Sequence, residues 1–316
     1  MSILKGLLSK YTSLSIDNIS NIIKKAPASY KTYRIEKANG GYREINHPAK
    51  ETKTLQYALM EIIFKKNDVH PIAMAYKRGV ESPTFENARL HKDYEYSLRL
   101  DFKNFFPSIK PDDIISIVKD SSKYEFDDTD YSDLKRICFR KNHIKGYQYG
   151  LAVGAPTSPI ISNIVMYDFD EAMEKISKEL DKSSTVTRYA DDIVFSTNEK
   201  GICAKFYSSV RDHLNDQDLS LEFNEEKTAF MSRGTKKVIT GLVISNKGNV
   251  SIGYDKKEKV KRKVYKYSKG DLEDSDILSL KGYLAYIQDV DPDFFDKLNI
   301  KYGADILDDI MSFENE

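Results

Sequence analysis

Residues 185–197 read TVTRYADDIVFST, a β-rich run interrupted at its middle by two adjacent carboxylates, Asp191 and Asp192. The β-branched and aromatic residues on either side predict two strands joined by a tight turn. Such a turn usually carries Gly or Asn, whereas this one presents paired negative charge at its tip. An isolated Asp pair in a turn is most often a solvated loop tip, so a functional interpretation requires a third carboxylate elsewhere in the chain.

Paired carboxylates on a rigid hairpin suit hard divalent cations. Mg²⁺ is held by one or two protein carboxylates together with phosphate and water oxygens, and two such ions roughly 3.5–4 Å apart drive in-line attack at phosphorus. The pair at Asp191 and Asp192 is therefore a candidate for phosphoryl-transfer chemistry.

The third carboxylate is Asp101, which ends the alternating run SLRLDF at residues 97–102. The order strand, helices, hairpin is expected of an antiparallel sheet with helices on one face, which would bring Asp101 and Asp191 together. These two side chains and the backbone carbonyl of Phe102 would then hold two Mg²⁺ ions, with Asp192 as a supporting partner. Considered alone, Asp101 is equally well explained as a strand-end residue that caps the next turn.

The composition is that of a soluble globular protein: 316 residues, of which 40% are hydrophobic and 31% charged. This is enough core for two or three subdomains. No stretch approaches the length of a membrane span, and the first residues are too few for a secretory signal, so we expect a cytoplasmic protein without a membrane partner. Cys138 and Cys203 lack metal-ligand spacing and are expected to be reduced and buried.

The net charge of +0 argues by itself against a nucleic-acid binder, but the charges are segregated along the chain. Residues 256–269 are densely basic with interleaved tyrosines, whereas the chain from Asp271 onward is acidic. A basic helix is most often a solvated face, but interleaved aromatics favour contact with phosphates and unpaired bases. The predicted RNA contacts here are Lys261, Arg262, Tyr265 and Tyr267.

Three motifs, in this order and spacing, resemble motifs A, B and C of reverse transcriptases. They are LDFKNFF at residues 100–106, GAPTSP at 154–159 and YADD at 189–192. The resemblance covers roughly residues 30–250, and YADD is more specific to reverse transcriptases than to RNA-directed RNA polymerases, whose pattern is GDD. It implies an RNA-directed DNA polymerase with a right-hand α+β fold and two Mg²⁺ ions in its active site.

Two shorter elements resemble those of bacterial retron reverse transcriptases. NARLH at residues 87–91 matches an Asn-Ala-x-x-His element, and ITG at 239–241 stands where those enzymes carry Val-Thr-Gly. The resemblance implies an enzyme that binds its own structured non-coding RNA, primes from an internal guanosine 2′-hydroxyl and makes a branched RNA–DNA molecule, msDNA, used in antiphage defence with an effector protein. The resemblance implies RNA contacts at Asn87, His91, Thr240 and Gly241. For His91 the alternative is a structural role in the fingers.

The resemblance also implies a dNTP site. Phe106 falls at the steric gate of motif A, where an aromatic ring would clash with a ribonucleotide 2′-hydroxyl; core packing is the alternative. Gly154 would let the backbone approach the substrate closely. Val153 stands where many family members carry glutamine, so a backbone group must substitute or discrimination must rest more on Phe106 and on stacking.

Several basic residues are candidates for contact with the triphosphate. Arg43, Lys77 and Arg78 fit that role because guanidinium groups bind phosphate bidentately, although a solvated fingers surface explains them nearly as well. Asn224 and Lys227 match an Asn-x-x-Lys element, in which the lysine would protonate the pyrophosphate leaving group.

The predicted organisation has three parts: N-terminal helices and fingers at residues 1–95, a palm at 96–245 with a fingers insertion at about 110–155, and a primer-grip hairpin end with a helical thumb at 246–316.

Among the individual elements, helical spacing predicts a docking helix at about 12–26 and one long apolar helix at about 159–180. A glycine turn predicts a hairpin at 33–45, and short strands are predicted near 219–223 and 228–231.

Two alternatives stay open at this point. The first alternative to a retron enzyme is another bacterial reverse transcriptase, of diversity-generating or abortive-infection type, and the second is a non-catalytic RNA-binding scaffold for an effector. The NARLH element weighs against the first, and the joint presence of Asp101, Asp191 and Asp192 weighs against the second.

Overall fold

The computed structural model describes residues 2–36, 40–77, 79–141, 148–217 and 219–314. The N-terminal part contains α1 (Ile3–Thr12), α2 (Ile16–Lys25), β1 (Tyr30–Glu36), β2 (Tyr42–Pro48), α3 (Lys50–Ile62) and α4 (Pro83–Leu90). The middle part contains β3 (Tyr96–Asp101), α5 (Phe105–Ser108), α6 (Pro111–Ser121), α7 (Asp128–Cys138), β4 (Arg140–Lys141), β5 (Tyr149–Gly150), α8 (Thr157–Val165), α9 (Tyr167–Leu180), β6 (Thr185–Tyr189), β7 (Asp192–Thr197), α10 (Ile202–Asp216) and β8 (Ala229–Ser232). The C-terminal part contains β9 (Lys237–Ile239), β10 (Leu242–Ile244), β11 (Val250–Ser251), α11 (Tyr254–Tyr267), α12 (Asp274–Val290), α13 (Pro292–Tyr302) and α14 (Ala304–Ser312).

A four-stranded antiparallel sheet in the order β6-β7-β3-β8, called the palm sheet below, contains the predicted hairpin. Leu98 and Leu100 of β3 are fully buried on one face, the face against which α10 packs. Because successive strand residues point to opposite faces, Asp101 projects from the other face, directly opposite Asp192 of β7. The prediction of an antiparallel sheet with helices on one face, within an α+β fold, is confirmed.

The helices differ from the predicted pattern in two places. The apolar run at 159–180 forms two helices rather than one, because Met166 leaves helical geometry with φ −83° and ψ 0°. Both pieces face the same core, so the apolar pattern continues across the break. The docking helix near 12–26 is α2, whose N-terminus is capped by Ser15, but the preceding helix α1 was not predicted.

Two buried clusters hold the chain together. One joins the N-terminal helices, the palm sheet and α6 to α10, and the other joins β9–β11 to the C-terminal helices. In the second cluster Ile239 and Leu242 pack with Val260 and Leu284, so the small β9–β11 sheet shares its core with the thumb helices. The domain boundaries at 95 and 245 stay predictions.

Three smaller expectations can be compared with the structure. β8 covers the strand predicted at 228–231, but near 219–223 the structure has only an isolated bridge between Phe223 and Phe102. Cys138 and Cys203 are free and buried, as predicted. Among the described helices, none has the length and apolar character required to cross a membrane.

Candidate active site

The turn that carries Asp191 is held by hydrogen bonds on both sides. Ala190 has φ 57°, in the left-handed region that residues other than glycine seldom occupy. Its carbonyl accepts a hydrogen bond from Nη1 of Arg188 at 3.2 Å, and the carbonyl of Asp191 accepts one from the backbone N–H of Phe102 at 3.0 Å. These contacts fix the peptide groups next to the carboxylate and tie the turn to the end of β3.

Arg188 is fully buried at the centre of a polar cluster, called the Arg188 cluster below, which also contains Asp170 and Asn163. Its guanidinium donates to both carboxylate oxygens of Asp170, at 2.7 and 2.6 Å, and to Oδ1 of Asn163 at 3.2 Å. This bidentate geometry compensates the buried charge. The sequence analysis did not select these residues, although Arg188 was a visible signal as the one charged residue of its strand.

The three predicted carboxylates come together, but each has a different environment. Asp101 accepts a hydrogen bond from Nζ of Lys227 at 2.6 Å, and Asp192 accepts one from Nε of Arg99 at 2.7 Å. Burial raises the pKa of Asp192 to about 6, although Arg99 acts to lower it. Burial and the charge of Asp101 likewise raise the pKa of Asp191. Negative charge is therefore crowded at this edge of the palm sheet.

The described side chains do not by themselves form a complete set of metal ligands. Among the described residues, no group of three His, Cys, Asp or Glu side chains is arranged to hold an ion. Asp192 is engaged by Arg99, whereas Asp191 lines an open cleft beside Lys227. The ring of Phe102 is buried between those of Phe105 and Phe223, at centroid distances of 5.6 and 5.0 Å, so a metal contact from Phe102 would use its backbone.

The cleft in front of Asp191 has a volume of about 690 Å³. Of the predicted dNTP-binding residues, Arg43 and Phe106 line it. Lys77 is exposed at the end of a described segment, and Arg78 lies outside the described residues. Further lining residues that the sequence analysis did not assign to this site include Tyr76, Lys103 and Arg140.

The backbone of Gly154 lies close to strand β2. It has φ 110°, and a Cβ atom there would lie 3.1 Å from Cγ2 of Ile45 and 3.3 Å from the carbonyl oxygen of Asn46. The backbone N–H of Asn46 also donates to the carbonyl of Val153 at 2.7 Å. The glycine therefore joins the motif B loop to the fingers hairpin, and the predicted approach to substrate stays a prediction.

Asn87 and His91 require a correction, because both side chains are buried and neither can contact RNA as placed. Asn87 is 1% exposed and His91 is 0% exposed. The His91 ring nitrogens lie 2.8 Å from the hydroxyl oxygens of Ser196 and Thr187, and burial lowers the His91 pKa to about 3. A neutral histidine thus connects α4 to the palm sheet, which agrees with the architectural alternative.

Thr240 and Gly241 form the two-residue turn between β9 and β10, with φ values of 46° and 80°. The Thr240 hydroxyl donates to the carbonyl of Thr84 at 2.7 Å, and the Gly241 carbonyl accepts from Nζ of Lys256 at 2.8 Å. The turn is therefore held between α4 and α11. Since the Thr240 hydroxyl and the Gly241 carbonyl are already hydrogen-bonded within the protein, the predicted RNA contact would have to use other atoms of the turn.

The basic helix α11 has two kinds of cation. Lys257, Lys261 and Lys263 are each paired with a carboxylate at 2.8 Å. A second group is exposed and follows helical spacing along one side, called the outer face of α11 below. This face consists of Lys259, Arg262, Tyr265 and Lys266, together with Lys269 in the turn that follows the helix. Of the four predicted RNA contacts, Arg262 and Tyr265 therefore face solvent.

The other two predicted contacts on α11 are engaged within the protein. Lys261 pairs with Glu258, and the Tyr267 hydroxyl donates to Asp309 at 2.6 Å.

Comparisons of the sequence with known proteins agree on one family. The model described as "Reverse transcriptase (RNA-dependent DNA polymerase)" matches residues 35–266. The chain is 32% identical over 295 residues to the retron Ec83 reverse transcriptase of Escherichia coli, covering 92% of this chain and 93% of that protein. It is 33% identical over 306 residues to the retron Ec73 reverse transcriptase of the same species, covering 93% of each. Among solved structures, telomerase from Candida albicans in complex with a fragment of telomeric RNA matches with a TM-score of 0.47 and 13% identity, over 97% of this chain and 59% of that one.

Proposed function

This chain belongs to the retron-type reverse transcriptases and is an RNA-directed DNA polymerase with a right-hand fold, and from that premise we propose that it copies part of its own retron's structured non-coding RNA into branched msDNA. In this proposal synthesis starts from an internal guanosine 2′-hydroxyl and uses dNTPs. The product serves antiphage defence together with an effector protein. The observation that carries the proposal is the position of Asp101 and Asp191 at the edge of a cleft lined by cations.

The proposed cofactor is Mg²⁺, two ions per active site, with Asp101, Asp191 and the Phe102 carbonyl as ligands. These oxygen donors fit Mg²⁺, and the raised pKa of Asp191 reflects crowded negative charge that a cation would relieve. The ammonium of Lys227 already lies 2.6 Å from Asp101, so this position accepts a cation. When bound, the ions would activate the attacking hydroxyl and neutralise triphosphate charge.

Asp192 has a supporting role in this proposal. Its link to Arg99 occupies one carboxylate oxygen, and its charge adds to the negative potential at Asp101 and Asp191. Asp192 therefore acts on the metal site through its charge.

Four cations around the cleft suit a nucleoside triphosphate: Arg43, Lys103, Arg140 and Lys227. In the proposed mechanism the two guanidinium groups bind phosphate oxygens bidentately. Lys227 holds a proton at Nζ and donates it to the departing pyrophosphate. Phe106 is half-buried in the cleft wall and is supported by Phe105 at a centroid distance of 5.3 Å, which suits a steric gate against the 2′-hydroxyl.

RNA binding is proposed for the outer face of α11. Its cations recur every three or four residues, so they lie along one side of the helix and match a phosphate backbone. Tyr265, which is 55% exposed, would stack on an unpaired base.

The proposal is tested with purified protein, dNTPs, Mg²⁺ and the structured RNA encoded beside its gene. We expect DNA that remains joined to RNA and is released by a debranching enzyme. Asp191→Asn should abolish synthesis and spare RNA binding, whereas Asp212→Asn, which changes an exposed carboxylate on α10, should alter neither.

Three outcomes would contradict parts of the proposal. RNA binding without any DNA synthesis by the wild type would favour the scaffold alternative. Synthesis only from an added DNA primer would favour another type of reverse transcriptase. Retained synthesis in Asp191→Asn would overturn the metal-ligand assignment.

A further inference from the structure

Tyr76 is an aromatic residue of the cleft that neither the motifs nor the comparisons assign to a role. Its side chain is 49% exposed and lines the cleft, with its ring centroid 6.4 Å from that of Phe106 and the two ring planes tilted by 54°. Its φ of 62° lies in the left-handed region that an aromatic residue rarely adopts. Strained backbone of this kind persists only where the surroundings fix it, and it is frequent at ligand sites.

The Arg188 cluster fixes the segment that carries Tyr76. Nδ2 of Asn163 donates to the carbonyl of Ala75 at 3.0 Å, and the backbone N–H of Met74 donates to the carbonyl of Arg188 at 2.8 Å. The same cluster donates to Ala190, the neighbour of Asp191. Tyr76 and the turn that carries Asp191 therefore share one buried support, which fixes the backbone that carries the ring relative to that turn.

The electrostatic surroundings of Tyr76 agree with this placement. Burial, followed by the nearby charge of Asp191, raises the pKa of the Tyr76 hydroxyl, so the ring stays neutral at the pH of DNA synthesis. A neutral ring beside a carboxylate is suited to exclude substrate atoms by shape.

We propose that Tyr76 is a specificity-determining residue that forms, together with Phe106, a two-ring wall against the 2′-hydroxyl of an incoming ribonucleotide. This inference rests on the proposed function, in which Phe106 is the steric gate. Phe105 supports the Phe106 ring, and Tyr76 adds a second ring 6.4 Å from it in the cleft that Asp191 also lines. The second ring also offers a physical reason why Val153, which lines the same cleft and cannot hydrogen-bond through its side chain, is tolerated in place of glutamine.

The test compares kcat/KM for each dNTP and its matching rNTP in the wild type and in variants. Tyr76→Ala should lower the dNTP/rNTP ratio roughly tenfold or more, the size typical of a lost steric contact in a pocket. Tyr76→Phe should keep the wild-type ratio, because the ring and not the hydroxyl forms the wall. Tyr57→Ala, which removes a ring that is 56% exposed on α3, is the matched control and should leave the ratio unchanged.

A double variant shows whether the two rings act together. If they form one wall, Tyr76→Ala combined with Phe106→Ala should lower the ratio by less than the product of the single effects. Should Tyr76→Ala fail to fold, Tyr76→Gly removes the same ring and adopts the left-handed backbone without strain.

The outcomes separate this inference from the proposed function. An unchanged ratio in the folded Tyr76 variant, with a lowered ratio in Phe106→Ala, overturns the two-ring wall and leaves the polymerase proposal intact. Unchanged ratios in both single variants overturn the wall and the gate. A wild type that incorporates no dNTP overturns the proposed function itself.

Discussion

His91 should make the stability of this protein depend on pH. The side chain is fully buried, its ring nitrogens face the hydroxyls of Ser196 and Thr187, and its pKa is lowered to about 3, first by burial and then by the charge of Lys237. In the unfolded chain the same group has an ordinary pKa of about 6.5. Below about pH 6.5 His91 binds a proton in the unfolded chain but stays neutral in the folded protein. The free energy of unfolding therefore decreases as the pH falls through this range.

The size of the loss follows from these two pKa values. Between about pH 7 and about pH 5, the preferential protonation of the unfolded histidine costs the folded protein about 2 kcal/mol. At pH 5 the folded group is unprotonated for any pKa below about 4, so this figure is set mainly by the unfolded value.

The assay is urea unfolding of the wild type and of His91→Gln at both pH values. Glutamine can donate and accept hydrogen bonds but does not titrate, so the variant should lose about 2 kcal/mol less than the wild type over that range. His47→Gln controls for the loss of a histidine as such, because His47 is exposed on β2. Equal losses in the wild type and His91→Gln would refute the reasoning. A direct RNA contact would instead appear as weaker RNA binding by a His91→Gln variant of normal stability.

Three further predictions follow from buried or exposed polar groups. Both amide atoms of Asn87 are buried without a partner among the described residues, so Asn87→Leu should leave the free energy of unfolding unchanged or raise it by about 1–3 kcal/mol in urea titration. Asp170→Ala leaves the Arg188 charge unpaired and should cost about 3–5 kcal/mol, against less than about 1 kcal/mol for the exposed pair removed in Asp212→Ala. Lys266→Ala should lower the salt dependence of RNA binding, measured as the slope of log K against log salt concentration, by about 1, and an unchanged slope would remove Lys266 from the interface.

The carboxylates proposed to be catalytic were accessible from sequence because the signals that place them are local. Strand alternation put Asp101 at a strand end, and the charged turn put Asp191 at a hairpin tip. The antiparallel sheet then places Asp101 opposite Asp192, the neighbour of Asp191. Residue type and spacing alone carried this part of the site and the class of the fold.

The remainder of the site depends on contacts between distant segments, which spacing does not encode. The NARLH element suggested RNA contact, but His91 is buried because α4 lies against the palm sheet. The partner of His91 there, Thr187, is 96 residues away in sequence. The helix break at Met166 was hidden because the apolar pattern continues through it. Tyr76 carries no motif, and only its backbone angle and its distance from Phe106 mark it.

The Arg188 cluster explains why the turn before Asp191 can carry Ala190 at a position where glycine would adopt the left-handed backbone without strain. A left-handed backbone costs a residue other than glycine roughly 1–2 kcal/mol, which the buried hydrogen bonds around Arg188 offset locally. Glycine at this position would relieve the strain but would also widen the range of backbone angles open to Asp191. In the proposed mechanism the orientation of Asp191 determines where a metal and a nucleotide bind, so a stiff strained turn suits that chemistry better than a relaxed flexible one. The same reasoning applies to Tyr76, whose left-handed backbone is held by hydrogen bonds between the same cluster and the neighbouring residues Met74 and Ala75.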